Sequence, residues 1–338
     1  MDPVLDEIRE RAVELARMAR EEDLGAGDLT GALVEGDEIG VFRLVARQRG
    51  ILAGRAIAAE VLGVYGDSIE LTWSERATDG ARIGEEGDVL ATLRGPCKVV
   101  LAAERVFLNF LQRLSGIATL TRAYVDALAG TGVQIFDTRK TTPGWRLLEK
   151  YAVRYGGGCN HRMGLHDAIL IKDNHLAGVP TEQLAGRVFE MLSKAQRHEG
   201  AKTRRGWRAT MPRVEDSRGG APEMERRPAF VEVEADSVEQ AAELFKVTGI
   251  DVILLDNFSH ADLRKVIEMR DGLGLKATVA LEASGGITLE TVRAVAQTGV
   301  DRISVGAITH SAPALDLALE RHDNPGGTGD EDGGSAGD

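Results

Sequence analysis

Lysine is scarce in this chain: nine of its 41 basic residues are lysine, against 53 acids, for a formal net charge of -12 over 338 residues. Such a balance excludes general nucleic-acid binding, which needs a basic face to meet phosphates. An acid excess with so few lysines also fits a protein of a salt-rich cell interior. Cysteine is scarcer still. Cys97 and Cys159 stand far apart and outside metal-ligand spacing, which excludes a disulfide framework and a thiolate zinc site and leaves two packed thiols. No apolar run approaches the ~20 residues that span a bilayer, and residues 1–10 are acidic rather than a basic-then-apolar signal. The expectation is a soluble, cytoplasmic protein with neither a membrane nor a nucleic-acid partner.

What this acidic chain does concentrate is positive charge, in one stretch. Asp137-Thr138-Arg139-Lys140-Thr141-Thr142 leads through Gly156-Gly157-Gly158-Cys159-Asn160-His161-Arg162 to Lys172-Asp173-Asn174-His175. Guanidinium groups grip carboxylates or phosphates through two parallel hydrogen bonds, lysine adds a movable point charge, and glycines let the backbone approach a ligand. These cations sit where apolar runs such as Ala168-Ile169-Leu170-Ile171 end, rather than at helical spacing among acids. The pattern reads as an anion site at strand ends, with a purely structural charge network as the alternative.

Residues 3–22 carry Val4, Leu5, Ile8, Ala12, Leu15 and Ala16 at helical spacing and predict an amphipathic helix, ended by the acidic glycine turn at 22–30. Strands are expected at 40–47, 69–73 and 89–93, with a short helix at 55–62, which makes an α+β domain without a catalytic constellation of its own. Residues 99–129 are helical in pattern, with a break expected at Ser115-Gly116. Arg105 lies on that helix and, on these grounds alone, is an ordinary surface arginine.

After Gly130 the texture changes to short apolar runs at 133–136, 168–171, 230–233, 252–255, 278–281 and 303–305. Helical patterns follow at 145–155, 181–195, 238–247, 261–269, 289–298 and 314–320. Repeated βα units with strands buried on both faces predict a parallel sheet closed toward a barrel. Six units are clear and a seventh is signalled at 158–162, so the barrel is expected to be incomplete. The domains follow as 1–113, then the barrel at 114–322 carrying a mobile basic insertion at 195–228, then an acidic, glycine-rich, disordered tail at 323–338.

Chemistry in such barrels sits at the carboxyl ends of the strands. Glu234 and Asp256 end two of the runs, and hard oxygen ligands of this kind suit magnesium, though either could merely cap the helix that follows. The last two runs end in Ser284-Gly285-Gly286 and Val305-Gly306-Ala307, small residues that suit an anion nest. One cleft would then offer cations for carboxylates, carboxylates for a metal, and a nest for a phosphate. A Schiff-base lyase using Lys172, or a silent anion-binding protein, remains open on the same residues.

The motifs at 137–144, 157–165 and 172–175, with Leu254-Leu255-Asp256-Asn257 and Ser284-Gly285-Gly286, resemble those of the quinolinate phosphoribosyltransferase family. The resemblance implies an open-faced α/β sandwich before an incomplete seven-stranded α/β barrel. It implies quinolinate and 5-phosphoribosyl 1-pyrophosphate as substrates, Mg2+ as cofactor, and a homodimer, or a hexamer built of dimers, in which Arg105 enters the neighbouring site. By the same resemblance Arg139, His161, Arg162 and Lys172 would hold quinolinate, and Lys140 would reach both ligands. Glu234 and Asp256 would serve the metal and ribose, Ser284, Gly286 and Gly306 the 5-phosphate, with Thr138, Gly285, Val305 and Ala307 lining the substrates. The basic insertion and Ala235-Asp236-Ser237 depart from the family pattern.

Overall fold

The structure is a computed structural model that describes residues 3–33, 38–84, 88–198 and 230–322. The first half contains α1 (Pro3–Leu24), β1 (Ile39–Ala46), β2 (Gly50–Ile51), α2 (Arg55–Gly63), β3 (Glu70–Trp73), β4 (Arg82–Ile83), β5 (Val89–Pro96) and α3 (Cys97–Ala127). Next come β6 (Gln134–Phe136), α4 (Arg146–Tyr155), β7 (Ile169–Ile171), α5 (Leu184–His198), β8 (Val231–Ala235) and α6 (Val238–Leu244). The remaining elements are β9 (Val252–Asp256), α7 (His260–Gly272), β10 (Ala280–Ser284), α8 (Val292–Ala296), β11 (Arg302–Ser304), α9 (Ala307–His310) and β12 (Leu317–Arg321). Nearly all of the expected insertion, and the whole of the expected tail, lie outside the described residues.

Helical spacing places Ile8, Ala12 and Ala16 on one buried face of α1, which packs on α2 and α3. An antiparallel sheet in the order β12-β1-β5-β3 lies against α3. Its edge strand corrects the helix expected at 314–320. Leucine, alanine and glutamate there favour a helix, but β1 offers an open edge. Leu317 to Arg321 pair along it from Ala46 to Phe42, and that tertiary pairing overrides local propensity.

The break expected at Ser115-Gly116 is also absent, and α3 runs 31 residues without interruption. Ser115 is buried and its hydroxyl bonds the amide and the carbonyl of Ala53 at 3.0 and 3.2 Å. Gly116 lets the chain pass close by: a Cβ there would lie 1.9 Å from the Pro313 carbonyl oxygen. These two residues serve packing, not a turn.

The second sheet is parallel, in the order β6-β11-β10-β9-β8-β7. A seventh member is reduced to a single bridge between Phe136 and Cys159, beside β6. Among the described residues that stub does not pair with β7, so the barrel is open between them. All five positions of β8 and four of five in β9 are buried, as strands covered on both faces must be. Glu232 and Glu234 are therefore two carboxylates inside a buried strand, a placement that requires partners.

Candidate active site

The cationic stretch is built on one buried ion pair. Asp137, just past β6, is fully buried and accepts from the Lys150 ammonium of α4, from Asn160 Nδ2 at 2.6 Å and from the His161 amide at 2.8 Å. Burial pushes the Asp137 carboxyl up and the Lys150 ammonium down, each opposed by the charge of the other. Lys150 also donates to the His161 carbonyl at 2.8 Å. This pair ties the 137–142 loop to the 158–162 stub.

Arg146 joins the same two loops. Its guanidinium donates to Thr141 Oγ1 at 3.0 Å, to the Arg139 carbonyl at 3.4 Å and to the Met163 carbonyl at 3.0 Å. Arg139 and Arg162 are thereby brought side by side. Burial, and then the neighbouring Arg139 charge, hold the Arg162 pKa below its ordinary value. Arg162 reaches the Ala168 carbonyl at 3.3 Å, whereas the buried Nε of Arg139 has no hydrogen-bond partner among the described residues. A pair of like charges held together around an unpartnered donor is suited to a ligand with more than one carboxylate.

His161 stands behind this pair. Its Nε2 meets Glu232 Oε2 at 2.8 Å and its Nδ1 accepts the Arg162 amide at 2.8 Å, so both ring nitrogens face protein groups. Burial disfavours a charged ring, but Glu232 and Glu282 outweigh it and raise the His161 pKa. The Arg162 amide pulls the other way, since only an unprotonated Nδ1 can accept it. The Glu282 carboxyl is itself raised by burial, against the pull of Arg302.

Next along the strand ends, Lys172 is bonded to Glu234, and Glu234, Asp236 and Asp256 bring their oxygens within 4.8 Å of one another. Asp236 is held above its ordinary pKa by burial and by Asp173 and Asp256, against Lys172. Neither expected carboxylate is a helix cap. Ser237 caps α6 and Ser259 caps α7, accepting from Gln240 and Asp262 at 3.3 and 3.2 Å. Lys172 bonded to a carboxylate also lacks the apolar surroundings that a Schiff-base amine uses.

The glycine loops complete the rim. Ser284 is the register partner of Asp256, and its carbonyl accepts from the Asn257 amide at 3.0 Å. Gly285 has φ +92°, and a Cβ there would fall 2.2 Å from Asn257 Oδ1, so the turn admits only glycine. At Gly306 a Cβ would lie 2.9 Å from the Lys140 Cδ, so the lysine side chain passes close beside Gly306. Thr138 Oγ1 accepts the Lys140 amide at 3.0 Å, and Thr309 Oγ1 donates to its carbonyl at 2.8 Å.

The candidates named from the sequence lie along one rim except Arg105 and His161, whose buried ring has both nitrogens on protein groups and so stands behind the rim instead of facing a ligand. Arg105 is exposed on α3 and makes no hydrogen bond or ion pair among the described residues. Sequence reasoning missed Arg146, Lys150, Glu232, Glu282 and Arg302. The available signal was charge interrupting a buried pattern, as in Val231-Glu232-Val233 or Leu281-Glu282-Ala283.

The match to known proteins decides the family. The description "Quinolinate phosphoribosyl transferase, N-terminal domain" fits residues 28–115, and the C-terminal domain of the same name fits residues 117–202 and 213–320. The chain belongs to the quinolinate phosphoribosyltransferase family. It is 40% identical over 314 residues to the nicotinate-nucleotide pyrophosphorylase [carboxylating] of Mycobacterium leprae, covering 91% of this chain and 96% of that one. A probable enzyme of the same name from Bacillus subtilis is 39% identical over 299 residues, covering 88% and 89%. The solved nicotinate-nucleotide pyrophosphorylase of Francisella tularensis superposes with a TM-score of 0.75 at 34% identity, covering 93% of this chain and 97% of that one. The family match is interrupted between residues 202 and 213, inside the basic insertion.

Proposed function

We propose that this rim joins quinolinate to the ribose of 5-phosphoribosyl 1-pyrophosphate, yielding nicotinate mononucleotide, pyrophosphate and carbon dioxide for NAD synthesis. The observation that carries the reading is the succession along one rim of a guanidinium pair with an unpartnered Nε, then Lys172, then the carboxylates of Glu234 and Asp256. A diacid and a polyphosphate escorted by a cation together need that order of charges.

Arg139, Arg162 and Lys172 would hold the two carboxylates and aim the pyridine nitrogen at the ribose carbon. Attack there forms the N–C bond as the C–O bond to pyrophosphate breaks, and the leaving group keeps that electron pair. Lys140 would neutralise the departing charge from its place beside Gly306. The carboxylate beside the ring nitrogen then leaves as carbon dioxide. Its bonding pair stays on the ring carbon, steadied by the pyridinium charge, until a solvent proton replaces it.

Glu234, Asp236 and Asp256 form a cluster of hard oxygen donors, which fits magnesium. When bound there, magnesium would supply charge neutralisation to pyrophosphate. The loops at Ser284-Gly285-Gly286 and Val305-Gly306-Ala307 would take the 5-phosphate. In a homodimer, or a hexamer of dimers, Arg105, exposed and without a hydrogen bond or ion pair among the described residues, would complete the neighbouring site. The setting is the cytoplasm. No described helix is long and apolar enough to cross a membrane.

The test is turnover of quinolinate with phosphoribosyl pyrophosphate and magnesium, read as carbon dioxide and nicotinate mononucleotide, against nicotinate and nicotinamide as competitors. Turnover of either competitor in preference to quinolinate would reassign the diacid grip.

A further inference from the structure

A second charged cluster lies inside the barrel. Glu232 on β8, Glu282 on β10 and Arg302 on β11 have relative exposures of 0%, 0% and 7%. Glu282 and Arg302 are register partners on neighbouring strands. The Arg302 guanidinium contacts Glu282 through Nε and Glu232 at 3.2 Å, and it lies 4.9 and 5.3 Å from the ring centres of Phe136 and Phe230. Two buried carboxylates beside His161 have the composition of a metal site, but the Arg302 cation is already ion-paired to both, which disfavours a second cation there. The cluster has another use.

His161 connects it to the rim. The ring is bonded to Glu232 on one side and to the Arg162 amide on the other. The main chain of His161 is held at both ends, its amide on Asp137 and its carbonyl on Lys150. This linkage runs from the 158–162 stub to β8. It crosses the seam at which the described stub and β7 share no backbone pairing. Ordinary barrel strands are fixed by ladder hydrogen bonds on both sides. At this seam, side chains perform that task.

We infer that Glu232 is a positioning residue for the diacid grip. Through the His161 ring it fixes the main chain of Arg162, and Arg302 with Glu282 holds Glu232 in place. The inference rests on the reading of Arg139 and Arg162 as the carboxylate-binding pair. Without Glu232 the ring loses its inner anchor, and the Arg162 guanidinium loses its alignment with Arg139. Misplacement by about 1 Å is enough to cost such a grip about a hundredfold. Gly285 and Gly306, at the phosphate end of the site, make no bond to Glu232 or His161 among the described residues, so that end should be spared by a change at Glu232.

Glu232→Leu tests this, because it nearly keeps the size of the side chain, takes away the acceptor that His161 Nε2 donates to, and leaves Arg302 ion-paired with Glu282. Calorimetry on the full-length protein should show quinolinate affinity weakened about tenfold or more, with phosphoribosyl pyrophosphate affinity in magnesium within about twofold of wild type. Hydrogen exchange at the Arg162 amide should accelerate in the same variant. Should Glu232→Leu fail to fold, Arg302→Lys loosens the same chain from its far end and should give the same split between the ligands. A folded variant with wild-type quinolinate affinity overturns the inference, as does an equal loss of both ligands, the mark of a merely structural core. A wild-type protein that binds no quinolinate overturns the reading of the site itself, which separates the two failures.

Discussion

Lys172, one residue past β7, and Glu234, inside β8, are bonded to each other across neighbouring strand ends, with the lysine side chain 46% exposed and the glutamate 4% exposed. The lysine is the only described cation bonded to the cluster of Glu234, Asp236 and Asp256. Lys172→Ala should therefore have two effects. Quinolinate binding, followed by calorimetry, should be lost for want of one carboxylate partner. Magnesium alone should raise the thermal midpoint of the variant more than that of wild type, because the cation then relieves three unpaired carboxylates. Unaltered quinolinate affinity would remove Lys172 from the site.

The buried pair of Asp137 and Lys150 leads to a stability prediction. Lys150→Met leaves a fully buried carboxylate with no cation and should destabilise the protein by about 3–5 kcal/mol in denaturant unfolding. The double change Asp137→Asn with Lys150→Met should recover part of that loss, since an amide still accepts from the His161 amide and leaves no charge unmatched. If the single and double variants are equally unstable, the pair contributes by shape and not by charge.

These cases show what the sequence could and could not disclose. The βα alternation, the incomplete barrel and the clustering of Arg139, Arg162, Glu234 and Asp256 were legible, because buried runs and strand-terminal charges are local patterns. Lys150 was not. In sequence it is one more charged position on an amphipathic helix, and only the crossing of α4 behind β6 buries it. Glu232 sat in plain view inside an apolar run, yet its partners His161 and Arg302 are 71 and 70 residues away. The composition of 317–321 favours a helix, while the edge of β1 that captures it as a strand lies far earlier in the chain, with Ala46 opposite Leu317 and Phe42 opposite Arg321.

Asp79 should give the fold a measurable pH dependence. Its carboxylate is half-buried near the start of α2, accepting the Arg55 and Ala56 amides at 2.9 and 3.0 Å and the Tyr151 hydroxyl at 2.5 Å. Burial raises its pKa above the ordinary 3.8, and these hydrogen bonds only partly oppose the shift. A group raised in the folded state binds its proton more tightly there than in the unfolded chain. The associated stability is full below 3.8 and is lost as pH rises through the folded value. Asp79→Asn lacks this titration. The stability of wild type relative to Asp79→Asn, from urea unfolding at steps between about pH 4 and 7, should fall as pH rises. A difference independent of pH would mean that Asp79 has the same pKa folded and unfolded.

Gly116 sets helix propensity against packing, and the geometry decides which wins. Alanine in a helix interior is favoured over glycine by up to about 1 kcal/mol, so propensity alone makes Gly116→Ala a stabilising change in α3. The added Cβ, however, would meet the Pro313 carbonyl at 1.9 Å, a backbone atom on the segment that leads to β12. Relief requires moving α3 or the pairing of β12 on β1, which costs about 1–3 kcal/mol. Gly116→Ala should therefore destabilise. Gly186, in α5 with nothing within 4 Å of an added Cβ, is the matched control, and Gly186→Ala should stabilise. Urea unfolding of the two single variants gives opposite signs if close approach governs Gly116. Gains of equal sign and size would mean that α3 does not carry the segment returning to the first sheet, and the joint between the two sheets would need another origin.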